Sequence, residues 1–116
     1  MNGPVRPWGK YNILFKNAGY QVKRIEIKPK LRFSLQKHKK RSETWVVVSG
    51  QGLATLGKKE IKIKSGSVVE VARGQAHRME NTGRVPLVFI EVQLGKYFGE
   101  DDIIRLEDDF NRAGDH

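Results

Sequence analysis

Apolar and polar residues alternate with a period of two along most of the chain. YQVKRIEI (20–27), RFSLQ (32–36), TWVVVS (44–49), GLATL (52–56), EIKIK (60–64), SVVEVA (67–72), HRMEN (77–81) and PLVFIEV (86–92) each read as a short strand rich in β-branched and aromatic residues. Turn signals separate them: KPK (28–30), SGQG (49–52), LGKK (56–59), KSGS (64–67), ARGQ (72–75) and NTGRVP (81–86). About eight strands, repeating every ~8–12 residues, predict an antiparallel all-β sandwich or small barrel. EDDIIRLEDDFNR (100–112) reads either as a short amphipathic helix, with Ile103, Leu106 and Phe110 on one side, or as a final strand. Trp45 to Val48, Val68-Val69 and Leu87 to Ile90 are apolar on both faces, so part of the outer surface is expected to be covered. The N-terminal arm, a terminal segment or a second subunit would do this, and sheet packing in a homodimer is the simplest arrangement. Trp8 in RPWG reads as an anchor for the arm.

Composition narrows the class. A chain of 116 residues is long enough for one core and too short for a second catalytic domain. It has no cysteine, which excludes disulfides, thiolate metal sites and cysteine nucleophiles and makes the cytoplasm the expected compartment. MNGPVRPWGKYNILF carries no sustained apolar stretch with a small-residue cleavage site, and no run reaches membrane-spanning length, so no membrane association is expected.

Charge is unevenly distributed. Residues 1–64 hold 16 Lys and Arg against 3 acids, while residues 65–116 hold 6 against 10; the halves, +13 and −4, give the net +9. KHKKR (37–41) is a basic cluster that could meet nucleic-acid phosphates. The lysines at 58, 59, 62 and 64 instead alternate with Ile61 and Ile63 as on a solvated strand face, and no aromatic platforms interleave with the basic residues. A basic pocket for a small anionic substrate accounts for the charge without nucleic acid.

The candidate chemistry lies in His38, Glu43 and His77. Two imidazoles and one carboxylate are borderline ligands suited to one divalent transition metal (Zn, Mn, Fe, Co or Ni), and the same set forms the facial triad of non-heme iron enzymes. In RFSLQKH the alternation puts Ser34, Gln36 and His38 on one face and Phe33 and Leu35 on the other. Two residues along a strand span about 7 Å, so Gln36 and His38 can both reach one ion. Glu43 opens the next strand after a basic turn, and His77 opens a later one after ARGQ.

These residues carry a resemblance. Gln36, His38, Glu43 and Gly50 match the spacing of the first motif of the cupin superfamily, with Gln in place of the usual first His. Gly66, Gly74, His77 and Asn81 match the second. Ala72 stands where Pro is usual, and Lys30 where a Gly normally opens the first motif. RPWGKY (6–11), GYQVKRIEIKP (19–29), AHRMENTGRVPLVFIEVQLG (76–95) and YFGEDDIIRLEDDFNR (97–112) extend the resemblance to the C-terminal domain of type II mannose-6-phosphate isomerases. In bifunctional members that domain follows a mannose-1-phosphate guanylyltransferase domain, which this chain lacks together with its Gly-rich nucleotide loop. The resemblance therefore implies a single cupin domain over 1–116, a double-stranded β-helix, acting as a stand-alone isomerase-type protein.

It also implies roles. Gln36, His38, Glu43 and His77 would hold the ion for interconversion of mannose 6-phosphate and fructose 6-phosphate. Moving a proton between C1 and C2 needs a Lewis acid and a base that stays on one face of the enediol. Lys40 and Glu91 are the candidate bases, and Arg41 and Lys23 the candidate phosphate-binding residues; Lys23 shares a strand face with Ile25 and Ile27, an unusual place for a cation unless the strand ends at a pocket. Where the family has His-His-Arg after the ligand His, this chain has Lys39-Lys40-Arg41. That departure keeps two alternatives open: a non-catalytic, metal-containing sugar-binding cupin, and an iron oxygenase using His38, Glu43 and His77.

Overall fold

The computed structural model describes residues 5–110. Eleven strands run through them: β1 (Val5–Arg6), β2 (Gly9–Lys16), β3 (Tyr20–Ile27), β4 (Leu35–His38), β5 (Arg41–Ser49), β6 (Gln51–Leu56), β7 (Lys59–Lys64), β8 (Val68–Val71), β9 (His77–Asn81), β10 (Leu87–Gly95) and β11 (Ile103–Glu107). No α-helix occurs among the described residues, and no helix there is long and apolar enough to cross a membrane. The strands form two antiparallel sheets, ordered β1-β2-β3-β10-β5-β8 and β11-β4-β9-β6-β7.

The period of two fixes what each strand sends inward. In β3, β10 and β5 the inward residues align in cross-strand rows: Ile27 beside Leu87, Ile25–Phe89–Val47, Lys23–Glu91–Trp45, and Gln21–Gln93–Glu43. All of these except Lys23 are buried. Each strand thus changes from apolar to polar halfway along its inner face. Apolar rows join Ala54, Ile63, Val69 and Met79 in one core, on which Trp45 stacks edge-to-face with Phe33 and tilts against Phe89. The polar rows open into a cavity at the other end.

Two expectations change, at the start of the chain and in β4, and the C-terminal segment takes one of its two readings. Residues 5–16 do not lie over a sheet face; they extend the larger sheet sideways as β1 and β2, with a bulge between Ile13 and Phe15. Trp8 packs edge-to-face on Phe33, as an anchor would. The strand read at 32–36 runs instead from Leu35 to His38, because Phe33 and Ser34 are both buried and so break the alternation. In the C-terminal segment a 3₁₀ turn, Glu100–Asp102, leads into β11, which pairs with β4; the strand alternative holds, and residues 111 and 112 of that segment lie outside the described residues. The outer face of the larger sheet carries an exposed apolar set including Val46, Val48, Val68 and Leu94.

Candidate functional site

Three strand ends deliver the side chains. β4 ends on His38, β5 begins at Arg41 and reaches Glu43 two residues on, and β9 begins with His77. Gly74 makes the last placement possible. Its φ of +75° turns the loop, and its N–H donates to the His38 carbonyl at 2.7 Å, tying the loop before His77 to the end of β4. Ala72, where the cupin motif usually has Pro, has a backbone N–H to satisfy, and the Gln75 side-chain carbonyl accepts it at 3.0 Å.

His38, Glu43 and His77 come together buried. His38 Nε2 lies 3.3 Å from Glu43 Oε2 and His77 Nε2 lies 3.7 Å from Glu43 Oε1. One donor atom from each falls within 4.8 Å of the others. The opposite ring nitrogens face backbone carbonyls, His77 Nδ1 at 2.9 Å from Gln75 O and His38 Nδ1 at 3.3 Å from Asp102 O. A carbonyl can only accept, so each Nδ1 carries the proton and each Nε2 keeps its lone pair for the cluster. Burial, and for His38 also the neighbouring Arg41 charge, lowers both imidazole pKa values, that of His38 to about 2. Two neutral imidazoles and a carboxylate converging in this way fit a divalent metal ion, and the cluster can hold one.

Glu43 is held by its neighbours. Trp45 Nε1 donates to Oε1 at 3.0 Å and Arg41 Nε to Oε2 at 3.3 Å. Burial nevertheless raises its pKa, so a cation at the cluster would relieve a buried carboxylate. Gln36 pairs with His77 across β4 and β9 and lines the same cavity; its Nε2 donates to Ser34 Oγ at 2.9 Å, which leaves the amide oxygen as the group it can offer an ion.

A second carboxyl shares the cavity. Glu91 is buried beside the cluster, and burial together with the Glu43 charge raises its pKa to about 7. Gln93 Nε2 bridges the two acids, donating to Glu91 Oε1 and, at 3.5 Å, to Glu43 Oε2, while Gln93 Oε1 accepts from Gln21 Nε2 at 2.9 Å. Gln21 thereby fixes which way the Gln93 amide points.

The cavity encloses about 70 Å³. Seven of the eight side chains singled out in the sequence surround it: Lys23, Gln36, His38, Arg41, Glu43, His77 and Glu91. Lys40 is not brought there. It is exposed at the β4–β5 turn, with Nζ 4.6 Å from the centre of the Tyr97 ring. Lys23 lies over the Tyr11 ring at 4.2 Å. Arg6, Gln93 and Arg105 also line the cavity and escaped the sequence reading. For Gln93 the signal was present, since it shares an inward period with Leu87, Phe89 and Glu91. Arg105 had none, because its segment read equally as helix. Arg41 Nη1 and Arg105 Nε are both buried without a hydrogen-bond partner, which marks the wall as suited to an anion.

The fold recurs in known proteins. A conserved uncharacterised protein with a double-stranded β-helix domain from Klebsiella pneumoniae subsp. pneumoniae superposes with a TM-score of 0.73 at 23% identity, covering 82% of this chain and 86% of its own. The all-β cupin architecture expected from the two motifs is therefore the observed one. Among curated proteins, the chain is 44% identical over 108 residues to the xanthan biosynthesis protein XanB of Xanthomonas campestris pv. campestris, and 39% identical over 108 residues to a mannose-1-phosphate guanylyltransferase of Klebsiella pneumoniae. Each alignment covers 93% of this chain and 23% of the relative, so the chain spans about a quarter of the length of these relatives. Residues 2–108, which include every side chain of the cavity, match the family described as mannose-6-phosphate isomerase C-terminal, and the protein belongs to that family.

Proposed function

We propose that the protein is a metal-dependent sugar-phosphate isomerase that interconverts mannose 6-phosphate and fructose 6-phosphate. The observation that carries this reading is the position of Glu91: a buried carboxyl with a pKa raised to about 7, in the same cavity as a His38–Glu43–His77 cluster fit for an ion. A carboxyl poised near neutral pH can both take and return a proton.

Gln36, His38, Glu43 and His77 would hold the ion. When bound, a divalent metal supplies Lewis acidity to a substrate carbonyl or hydroxyl oxygen. Glu91 takes the proton from C2 to give the enediol and returns it to C1 on the same face of the sugar, while the O2 hydroxyl proton passes to O1 so that the carbonyl moves from C1 to C2. Gln93, locked by Gln21, holds the Glu91 carboxyl in place for both transfers. Arg41, Lys23 and Arg105 present positive charge to the phosphate, with Arg41 Nη1 and Arg105 Nε as buried donors awaiting an acceptor. The base remains in the cavity although Lys40 does not enter it, which favours catalysis over sugar binding alone. The surrounding cations Arg6, Lys23, Arg41 and Arg105 favour an anionic substrate such as a sugar phosphate.

The decisive experiment incubates the metal-loaded protein with mannose 6-phosphate in D₂O and follows the C2 proton by NMR. Metal-dependent loss of the C2 signal with appearance of fructose 6-phosphate is expected. Binding without exchange would leave a sugar-binding cupin, and iron-dependent oxygen uptake would leave an oxygenase.

We also propose that a second copy covers the outer face of the larger sheet. Arg24 on β3 begins the row that runs through Ile90 and Val46 to Val68, and Glu70 on β8 ends the neighbouring row through Val92 and Thr44, so two antiparallel copies would set the β3 side of one against the β8 side of the other. Sedimentation of Val46→Asp as a monomer, against a dimeric wild type, would support this packing.

A further inference from the structure

One residue ties the C-terminal segment to the ligand cluster. Asp102 closes the 3₁₀ turn, its N–H donating to Gly99 O at 3.2 Å, and is only 7% exposed. All three of its oxygens engage the end of β4. Oδ1 accepts the Lys39 N–H at 3.1 Å, Oδ2 accepts the Lys40 N–H at 3.0 Å, and the backbone carbonyl accepts the proton of His38 Nδ1 at 3.3 Å. The next residues continue the grip, Ile103 pairing with His38 and Arg105 with Gln36.

Each bond has a separate consequence. A carboxylate accepting two backbone N–H groups makes charge-assisted bonds, stronger than neutral ones, so the β4–β5 turn is pinned where it leaves His38. The carbonyl sets the ring's tautomer and its rotation, which are what decide whether Nε2 offers a lone pair to an ion. Both carboxylate oxygens are occupied by the turn, so Asp102 is unsuited to be a base or a ligand itself.

We propose that Asp102 is a positioning residue for the metal, holding His38 in ligand geometry and coupling β11 to the ion. The proposal rests on the metal-site reading above. Because coupling is reciprocal, an ion on His38 tightens the β4–β5 turn by the same factor that Asp102 adds to ion affinity. The strand so coupled also carries Ile103 and Arg105 into the cavity wall, so the ion and the anion-facing side of the cavity are ordered together. Asp101 is the natural control. It is exposed, and its carboxylate accepts from the Tyr97 hydroxyl without touching β4.

The test uses the full metal-free chain titrated with Zn²⁺ against a chromophoric chelator, alongside hydrogen exchange at Lys39 and Lys40 and ¹⁵N shifts of the His38 ring. Asp102→Ala should weaken zinc binding about 10- to 100-fold, the scale of outer-shell substitutions at metal sites. It should also speed exchange at both amides, and by freeing the turn from the segment that carries the Asp102 carbonyl it should loosen that carbonyl's hold on Nδ1 and turn the single His38 tautomer into a mixture. Asp102→Asn, which retains one acceptor oxygen, should fall between it and the wild type and serves as the test if Asp102→Ala fails to fold. Asp101→Ala should match the wild type in all three. Unchanged zinc affinity with an unchanged His38 tautomer in Asp102→Ala and Asp102→Asn would overturn the proposal. A wild-type chain that binds no zinc would overturn the metal-site reading instead, and the ring tautomer and amide exchange would still decide whether Asp102 holds His38.

Discussion

The two halves of the barrel interior are built from the same strands and obey opposite rules. Along β10 the inward residues run Leu87, Phe89, Glu91, Gln93; along β5 in the reverse sense they run Val47, Trp45, Glu43, Arg41; along β3 they run Ile27, Ile25, Lys23, Gln21. The first half gains from burial at each step, since apolar area leaves water with nothing to satisfy. The second half buries carboxyls, imidazoles and a guanidinium, which costs free energy unless every group finds a partner. Partners are found for most of them, and the exceptions, Arg41 Nη1 and Arg105 Nε, lie on residues that line the cavity. One half therefore stabilises the fold, and the other uses part of that stability to hold a reactive arrangement.

The largest effects should separate the halves completely. His77→Ala should reduce ion occupancy from close to one per chain to none, measured by metal analysis of the purified protein, and abolish isomerisation with it. Phe89→Ala, only one row from Glu91, should instead lower stability by about 3–5 kcal/mol in denaturant titration while the folded fraction still takes up the ion. Metal loss in both variants would mean that the halves are a single cooperative unit and that the division is false.

Glu91→Gln sharpens the comparison within the polar half. The amide keeps the volume and the contact with Gln93 but cannot take a proton, so turnover should fall by roughly 10²-fold or more, with metal content and sugar-phosphate affinity retained. Full activity in this variant would place the base elsewhere.

Titration gives the polar half a signature of its own in the metal-free protein. His38 has its folded pKa depressed from 6.5 to about 2, so the unfolded chain binds the extra proton and stability is lost as pH falls below 6.5 towards 2. His77 is shifted in the same direction. Glu91 has its folded pKa raised from 4.5 to about 7, so its contribution is complete below 4.5 and is lost as pH rises through 7; Glu43 is shifted the same way. The two trends oppose one another between 4.5 and 6.5, and the stability maximum should fall there. Glu91→Gln should flatten the alkaline limb and leave the acid limb alone, as read from urea midpoints across pH. Ion affinity should rise with pH as the Glu43 carboxyl, whose pKa burial raises, gives up its proton, since the two imidazoles are already neutral in the folded chain.

The same contrast explains what the sequence disclosed. β3 and β9 were read to the residue: in β3 one face is buried and the other partly solvated, which prints the alternation plainly, whereas β9, buried at four of its five positions, is bounded by the turn signals on either side. β2 gave no period, since Ile13, Leu14 and Phe15 are consecutive, exposed and bulged. β11 was ambiguous because Ile103, Leu106 and Phe110 suit a helical spacing as well as a strand. The candidate ligands were legible because the motif spacings around them are local to two turns. Asp102 was not, because it meets His38 from 64 residues away and partly through its backbone. Lys30, standing where the cupin motif has Gly, proves to have a φ of +67°. The motif's preference is thus steric, and this chain accepts the strain, about 1–2 kcal/mol by handedness alone, with its side chain bonded to Thr82 O and its N–H to Asn81 O.

The smallest effect belongs to the residue that sequence spacing placed nearest the chemistry. Lys40 sits two positions after His38 and one before Arg41, yet the turn aims it outward, over Tyr97. An exposed cation on an aromatic face contributes about 0.5–1 kcal/mol, and its backbone N–H, which binds Asp102, survives substitution. Lys40→Ala should therefore lower stability by no more than about 1 kcal/mol and leave turnover within about twofold of wild type, as expected for a surface change away from buried contacts. The contrast with Arg41, its neighbour in sequence, is steep. Arg41→Ala removes a buried donor to Glu43 and His38, and should weaken sugar-phosphate binding far more than binding of the unphosphorylated sugar, with Arg41→Lys restoring it only in part. A loss of turnover in Lys40→Ala on the scale of the Glu91→Gln loss would show that the turn folds inward when substrate binds, and would return Lys40 to the reaction.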